Sequence, residues 1–288
     1  MNYSALIETR RSVRAFTDKA VPNSALIELE TYYCRDIKQL IPQIKTELVF
    51  FDDRSKEALE GAAGYNQFLV GAPQYLVLLS QTHERMYLNA GFIMQDLLLK
   101  AADMGLDSCW LTFTSGDDIK AAVGIVTDLE VVAVAAFGYG VKTTKRLRLN
   151  IRSMSDIDIS ARRRYTEPKR SIYDMVFLQE WGNTKGLDEH IGFFDSMLWE
   201  AFHAASLSPS YLNRQAYGFV IRDGRIYLIR RPDKVTRAPD GQLSLGIALL
   251  HFTAIASEWA GRMQWNFGSD GEDLKLPEGY EVTAFCIL

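Results

Sequence analysis

One pattern occurs twice in this 288-residue chain, about 155 residues apart. Gly91 opens the run GFIMQDLLLKAADMGLDSCW and Gly246 opens GIALLHFTAIASEWAGRMQW; each reaches a tryptophan, Trp110 or Trp265, nineteen residues later. Behind each comes an apolar run that begins Glu-Val, at Glu130 (EVVAVAAF) and at Glu281 (EVTAFCIL). RRSVR (residues 10–14) stands ahead of the first copy and KRSIY (residues 169–173) ahead of the second. The distance between matching anchors drifts from 151 to 159 residues, as insertions produce. Two similar halves, 1–150 and 151–288, imply a dimer fused into one chain, expected to be a monomer in solution. Where the halves differ should mark the function.

The formal net charge of -4 supplies no global positive field, so neither nucleic acid nor a membrane surface is an expected partner. The N-terminal MNYSALIETRRS lacks a signal-peptide core, and no run approaches the ~18 consecutive apolar residues of a transmembrane span. Three cysteines (Cys34, Cys109, Cys286) without CxxC spacing indicate neither a disulfide framework nor a zinc knuckle, and fit a reducing cytoplasm. The four histidines (His83, His190, His203, His251) lack ligand-like spacing and read as packed or surface residues, so no metal is expected.

Local patterns predict a mixed layout. Helices are expected at 3–11, from Asn23 or Ser24 as cap through 40, at 87–104 with Gly105 past its end, at 193–206 and at 245–259. QYLVLLS after Pro73 and VVAVAAFGYG read as buried strands. FVIRDGRIYLIRR reads as a hairpin turning at Asp223-Gly224, and EVTAFCIL closes the chain as a strand. Residues 142–170 are basic and read as a crossover of little periodicity. This mixture predicts a layered α+β fold, with the helices from Gly91 and Gly246 paired as a spine and Trp110 and Trp265 in the core. Neither GxGxxG nor GxxxxGK[ST] occurs, so a Rossmann dinucleotide fold and a P-loop are both unsupported.

Two segments carry chemistry. RRSVR offers guanidinium forks and a hydroxyl, a set suited to a phosphate monoester, or else a basic helix end. SPSYLNRQAY (residues 208–217) offers serine hydroxyls with the amides of Asn213 and Gln215, which face the same way if the segment is extended. That suits a neutral, hydrogen-bonding heterocycle; the plainer alternative is a connector that satisfies its own backbone.

Together RRSVRAF, SPSYLNRQAY, GLDSCW and FGYG followed by KTTKRLR resemble the FMN-dependent nitroreductase family, with the likeness running through the whole chain. The family's order is altered. Its PSxxNxQ segment usually follows RRSxR closely, whereas here it lies in the second half, and YYCRDIKQLIP holds the matching place in the first. Tyr173 stands where Arg14 does, and no basic tail follows the last strand. In the family one protomer supplies the phosphate arginines and the GLGxxW loop, and the other supplies PSxxNxQ. The resemblance therefore implies one complete FMN site and one vestigial site.

It assigns Arg10, Ser12 and Arg14, with Arg11 beside them, to the phosphate and ribityl end, closed by Lys145, Arg146 or Arg148. Pro209, Ser210, Asn213 and Gln215 would approach the ring from across the pseudo-interface. Leu111 and Thr112 would bring backbone N–H groups toward the flavin, although the family's glycine is replaced by Thr112-Phe113. Asn66 is a further candidate for the pyrimidine edge, and Tyr217 takes the place of the family's tryptophan. The implied activity is hydride transfer from NADH or NADPH through FMN to a nitroaromatic, quinone or similar flat acceptor, with no catalytic side chain required. The alternative is a flavin carrier or sensor without turnover.

Overall fold

Asn2 starts the first helix by accepting the Ala5 N–H through its side chain at 3.1 Å. The computed structural model of this chain describes residues 1–64, 69–142, 146–153, 156–162, 168–187 and 196–287. The first half runs α1 (Tyr3–Thr9), α2 (Asn23–Arg35), β1 (Thr46–Asp52), α3 (Lys56–Leu59), β2 (Ala63–Gly64), β3 (Gln74–Ser80), α4 (Met86–Asp103), β4 (Asp107–Phe113), α5 (Gly116–Val123) and β5 (Glu130–Gly138). A hairpin of β6 (Arg146–Ser153) and β7 (Asp156–Arg162) follows. The second half runs β8 (Val176–Leu178), α6 (Ser196–Ser206), β9 (Tyr217–Arg222), β10 (Arg225–Arg230), α7 (Ala238–Ala260), β11 (Asn266–Phe267) and β12 (Glu281–Ile287).

The two large sheets have the orders β1-β3-β5-β4-β2 and β11-β12-β10-β9-β8. The run β1-β3-β5-β4 matches β9-β10-β12-β11, antiparallel throughout. Both sheets carry the same irregularity. The register of β3 on β5 slips between Leu78 and Leu79, leaving Val132 unopposed; that of β10 on β12 slips between Leu228 and Ile229, leaving Thr283 unopposed. Each unopposed residue is the third of the repeated Glu-Val run. The same bulge at the same place in two sheets shows that the repeat is structural.

The two sheets enclose the helix pair. One face of the first sheet packs through Leu76, Leu78 and Ala135 on α4 (Ile93, Met94, Leu97), and its other face is covered by α3 and α5 through Leu59 and Ile119. β5 is buried on both faces, as its unbroken apolar sequence requires. The second sheet packs on α6 and α7 around Phe202, Phe219 and Phe252. α4 and α7 pack on each other as the spine, in close contact at Gly91 and Gly246. α7 is long and apolar enough by composition to cross a bilayer, but 78% of its apolar window is buried in this core.

Several local expectations are corrected. Pro22, not Asn23 or Ser24, occupies the N-cap of α2. That helix stops at Arg35, because the Lys38 and Ile41 N–H groups are taken at 2.9 Å by the side chains of Asp96 and Asn89 on α4. α1 stops at Thr9 with Arg10 as its C-cap and Arg11 donating to the Glu8 and Arg10 carbonyls, so only residues 12–14 lie beyond the helix end. α7 begins seven residues before Leu245, at Ala238 with Pro239 in its first turn. The segment 142–170 contains a regular hairpin, whose alternation in RLRLNI and DIDIS fits a two-stranded ribbon. Strands β1 and β4 and helix α5 had no prior expectation. The turn at Asp223 (φ 50°) and Gly224 (φ 73°) has the left-handed pair expected of a tight hairpin.

Candidate functional site

The RRSVRAF segment is extended and clamped between two first-half elements. Ser12 bridges in parallel to Ser108 at the start of β4, and the Val13 N–H donates to the Ser108 carbonyl at 2.9 Å. On its other side Phe16 bridges Gly140, the Thr17 N–H donates to Tyr139 O, and the Val141 N–H donates to Ala15 O. A Cβ on Gly140 would stand 2.7 Å from Asp107 Oδ2 and 2.8 Å from Val13 Cγ1, so glycine suits this close approach. The fold therefore brings RRSVR and the FGYG turn together.

Arg10 leaves α1 here, with Nε sealed from solvent and without a hydrogen-bond partner. Burial pulls its pKa down to about 10; Cys109 opposes this and Arg11 adds to it. Among the described residues no carboxylate contributes. Arg11 turns back to donate to Glu8 O at 2.5 Å and Arg10 O at 2.8 Å. Arg14 is exposed, within electrostatic reach of the buried Cys109 thiol, whose pKa burial raises. A partly desolvated cation on which no described carboxylate acts, beside two more arginines, is the electrostatic form of an anion site.

β4 continues from Ser108 to Leu111 and Thr112. Leu111 is buried opposite Val134 of β5. Thr112 pairs with Gly64 of β2 and donates its hydroxyl to the Gly64 carbonyl. Both residues thus lie within a sheet rather than on a loop. Asn66 and Lys145 lie outside the described residues. Arg146 and Arg148 fall at alternate positions of β6, opposite Arg162 and Ser160 of β7.

The second-half segment is a tight turn, not an extended run. Leu212 (φ 48°), Asn213 (φ 56°) and Gln215 (φ 45°) all adopt left-handed backbone conformations, a strain that clusters at functional segments. Asn213 Oδ1 accepts from Lys169 Nζ at 2.7 Å, and its Nδ2 donates to Pro168 O at 2.8 Å. Gln215 is buried; its Oε1 accepts the Arg170 N–H at 2.9 Å and its Nε2 donates to Ser206 O at 2.6 Å. Ser210 Oγ accepts the Gln215 N–H at 3.0 Å, and Pro209 is buried beside it. Both amides bond residues 168–170, although the segment that carries them is not extended. They are held by the second half's own KRS segment and by the end of α6. Tyr217 is a core residue whose hydroxyl donates to Ala205 O at 3.1 Å.

The turn reaches the first half through α7. Tyr211 N donates to Ser244 Oγ on α7 at 3.3 Å. Arg237, at the N-cap of α7, donates to Phe113 O at the end of β4 at 2.7 Å, with Tyr211 within electrostatic reach. At the other end Arg10 and Lys169 both act on His251 of α7. The first half's matching place is fixed by geometry as well. Asn89 holds Ile41 as Ser244 holds Tyr211, and Asn89 and Ser244 are 155 residues apart, the spacing of Gly91 and Gly246.

Lys169, Arg237 and Gln95 are not among the residues the sequence assigns to the site, and His251 is packed, as its lack of ligand-like spacing predicts. Among the described residues no cluster of histidine, cysteine and acidic side chains could hold a metal ion, and all three cysteines are free.

Arg10 of the first half and Lys169, which holds Asn213 in the second, thus both act on His251 of the spine. The chain belongs to the nitroreductase family whose model, described as "Putative TM nitroreductase", matches residues 2–256. A Thermotoga maritima protein of the same designation, at 19% identity, superimposes over 100% of this chain and 94% of its own with a TM-score of 0.60, which establishes the shared fold. A nitroreductase family protein from Clostridium novyi NT matches at 20% identity over 49% of this chain and 86% of its own, TM-score 0.42. An FMN-dependent nitroreductase from Clostridium difficile R20291 matches at 17% identity over 48% and 87%, TM-score 0.40. No curated protein matches.

Proposed function

We propose that this chain is an FMN-dependent oxidoreductase that binds one FMN per chain, in a site shared between its halves, and accepts hydride from NADH or NADPH. The observation that carries the reading is Arg10, whose burial lowers its pKa, whose Nε is sealed without a hydrogen-bond partner, and on which no carboxylate among the described residues acts. An anionic phosphate or ribityl oxygen in that place would supply what the fold leaves out. Nitroreductase family membership supports the redox assignment.

Arg10, Ser12 and Arg14 would hold the phosphate and ribityl end, with Arg11 beside them and Lys145, Arg146 or Arg148 as the closing cations. Leu111 and Thr112 would border the ring from β4, with Asn66 as the candidate near the pyrimidine edge. Pro209, Ser210, Asn213 and Gln215 would form the wall from the second half. In that wall Lys169 and the backbone fix the two amides, so the surface offered to a ring is preset rather than adjustable. When bound, FMN supplies the two-electron chemistry, taking hydride at its ring and delivering it to a flat electron-poor acceptor such as a nitroaromatic or quinone. The protein's part is to orient the ring and neutralise the phosphate. The second copy offers Lys169 and Tyr173 in place of Arg10 and Arg14, and Lys169 is bonded to Ser208 O at 2.9 Å and to Asn213. One occupied site follows.

The test is the absorption spectrum of the purified chain. Flavin bands at one equivalent per chain, bleached anaerobically by NADH or NADPH, are the expected result. Flavin that stays oxidised marks a carrier or sensor instead, and a colourless chain that cannot be reconstituted with FMN overturns the reading.

A further inference from the structure

The two tryptophans that close the repeated helices bond differently. Trp265 Nε1 donates to Thr253 Oγ1 at 2.9 Å, within its own half. Trp110 Nε1 donates to Gln95 Oε1 at 2.9 Å, and Gln95 Nε2 meets His251 Nε2 at 3.0 Å. His251 Nδ1 then reaches Ala204 O at 3.0 Å. The direction of this chain is determined by its ends. A carbonyl only accepts, so Nδ1 carries the proton, Nε2 is bare, and the Gln95 amide nitrogen must donate to it. The Gln95 oxygen is then free to accept from the indole. Gln95 and His251 have no solvent exposure.

Both ends touch the candidate site. Trp110 lies two residues from Ser108, the residue that anchors RRSVR, and two from Thr112. Ala204 is followed by Ala205 and Ser206, whose carbonyls accept from Tyr217 and Gln215. The relay thus spans the seam, from the strand behind the first half's arginines to the root of the second half's turn.

The repeat has no second copy of it. An offset of 155 residues equates Gln95 with Leu250 and Asp96 with His251. Leu250 cannot hydrogen bond. Asp96 is committed to the Tyr3 and Tyr32 hydroxyls at 2.8 and 2.9 Å and to the Lys38 N–H at 2.9 Å, all from the first half. An asymmetric relay beside the asymmetric site links the two.

We infer that Gln95 and His251 are the positioning pair of the single flavin site, setting the separation between β4 with RRSVR and the 208–217 turn. The inference rests on the flavin reading above. Neither residue is assigned a contact with the cofactor; they act through Trp110 and Ala204.

The test compares His251→Gln with His251→Leu in the full chain reconstituted with FMN. Glutamine can accept from Gln95 and donate to Ala204 O, whereas leucine can do neither. Flavin fluorescence titration should show His251→Leu weakening FMN binding about tenfold, as both hydrogen bonds of the imidazole are lost. The visible circular dichroism of the bound flavin should change with it, and His251→Gln should restore both. Leucine and glutamine variants that bind FMN alike overturn the inference, whether both match the parent or both are weakened. Should His251→Leu fail to fold, Trp110→Phe replaces it, removing only the first donor of the relay; unchanged FMN affinity in that variant overturns the inference. A parent chain that takes up no FMN overturns the flavin reading, and the inference with it.

Discussion

Gly91 and Gly246 meet each other's helix in the same way. A Cβ on Gly91 would collide with the carbonyl oxygen of Leu243, and a Cβ on Gly246 with that of Leu88. Leu88 and Leu243 each precede their own glycine by three residues, so the contact is reciprocal, the signature of an isologous two-fold interface, here contained in one chain. Close packing of α4 on α7 depends on both glycines lacking a side chain.

Alanine at either glycine should therefore cost stability. The obstruction is backbone carbonyl, which cannot swing aside as a flexible side chain would, and overpacking of this kind costs about 1–3 kcal/mol. Gly91→Ala and Gly246→Ala should lower the urea midpoint by similar amounts. A midpoint unchanged in either variant would show that the spine is looser than the reciprocal contact implies.

Arg10 should be the arginine whose loss is felt most by FMN. Arg10→Met removes a desolvated, charge-assisted donor, worth about 1.5–3 kcal/mol or roughly one to two orders of magnitude in affinity. Arg10→Lys should not restore binding, because an ammonium cannot reproduce the fork of donors. Titration of each variant with FMN checks this, and wild-type affinity in Arg10→Met would remove Arg10 from the site.

His251 predicts a pH dependence of stability. Burial lowers its pKa from 6.5 to about 3; the Ala204 carbonyl opposes this, and the positive charges of Arg10 and Lys169 reinforce it. The unfolded chain binds a proton below 6.5 that the folded chain refuses until about 3. Its contribution is thus fully present above 6.5 and is lost as pH falls through that window. The slope approaches ~1.4 kcal/mol per pH unit. Urea unfolding from pH 7 to 4 should show His251→Gln losing less stability than the parent; parallel curves would mean that His251 titrates normally.

Gel filtration should return one chain, near 32.6 kDa, because the interface a nitroreductase-like dimer would form between protomers is already satisfied by α4 and α7. One FMN per chain should accompany that mass. A particle of about twice the mass, holding FMN between copies, would put the site at a different seam.

The local pattern in the sequence was enough for several elements. QYLVLLS and EVVAVAAF became β3 and β5 because an unbroken apolar run has one stable place, the middle of a covered sheet. Asp223-Gly224 turned the β9–β10 hairpin because that pair tolerates left-handed backbone. By contrast, TELVFFD and DSCWLTF became β1 and β4 only through pairing with β3 and β5. DIKQL left the helical pattern of α2 only because Asp96 and Asn89 captured its N–H groups.

The candidate site divides in the same way. By itself the sequence determined that the chain is doubled, that RRSVR belongs to one copy and SPSYLNRQ to the other, and that two glycine-led helices form the spine. Those are properties of composition and spacing, which a chain carries before it folds. Tertiary structure alone decided that Arg10 Nε is sealed without a partner, that Asn213 and Gln215 are held by Lys169 and Arg170, and that Gln95 meets His251 across 156 residues. Burial and hydrogen-bond direction depend on what the rest of the chain brings alongside, and no local period encodes a neighbour from the other half.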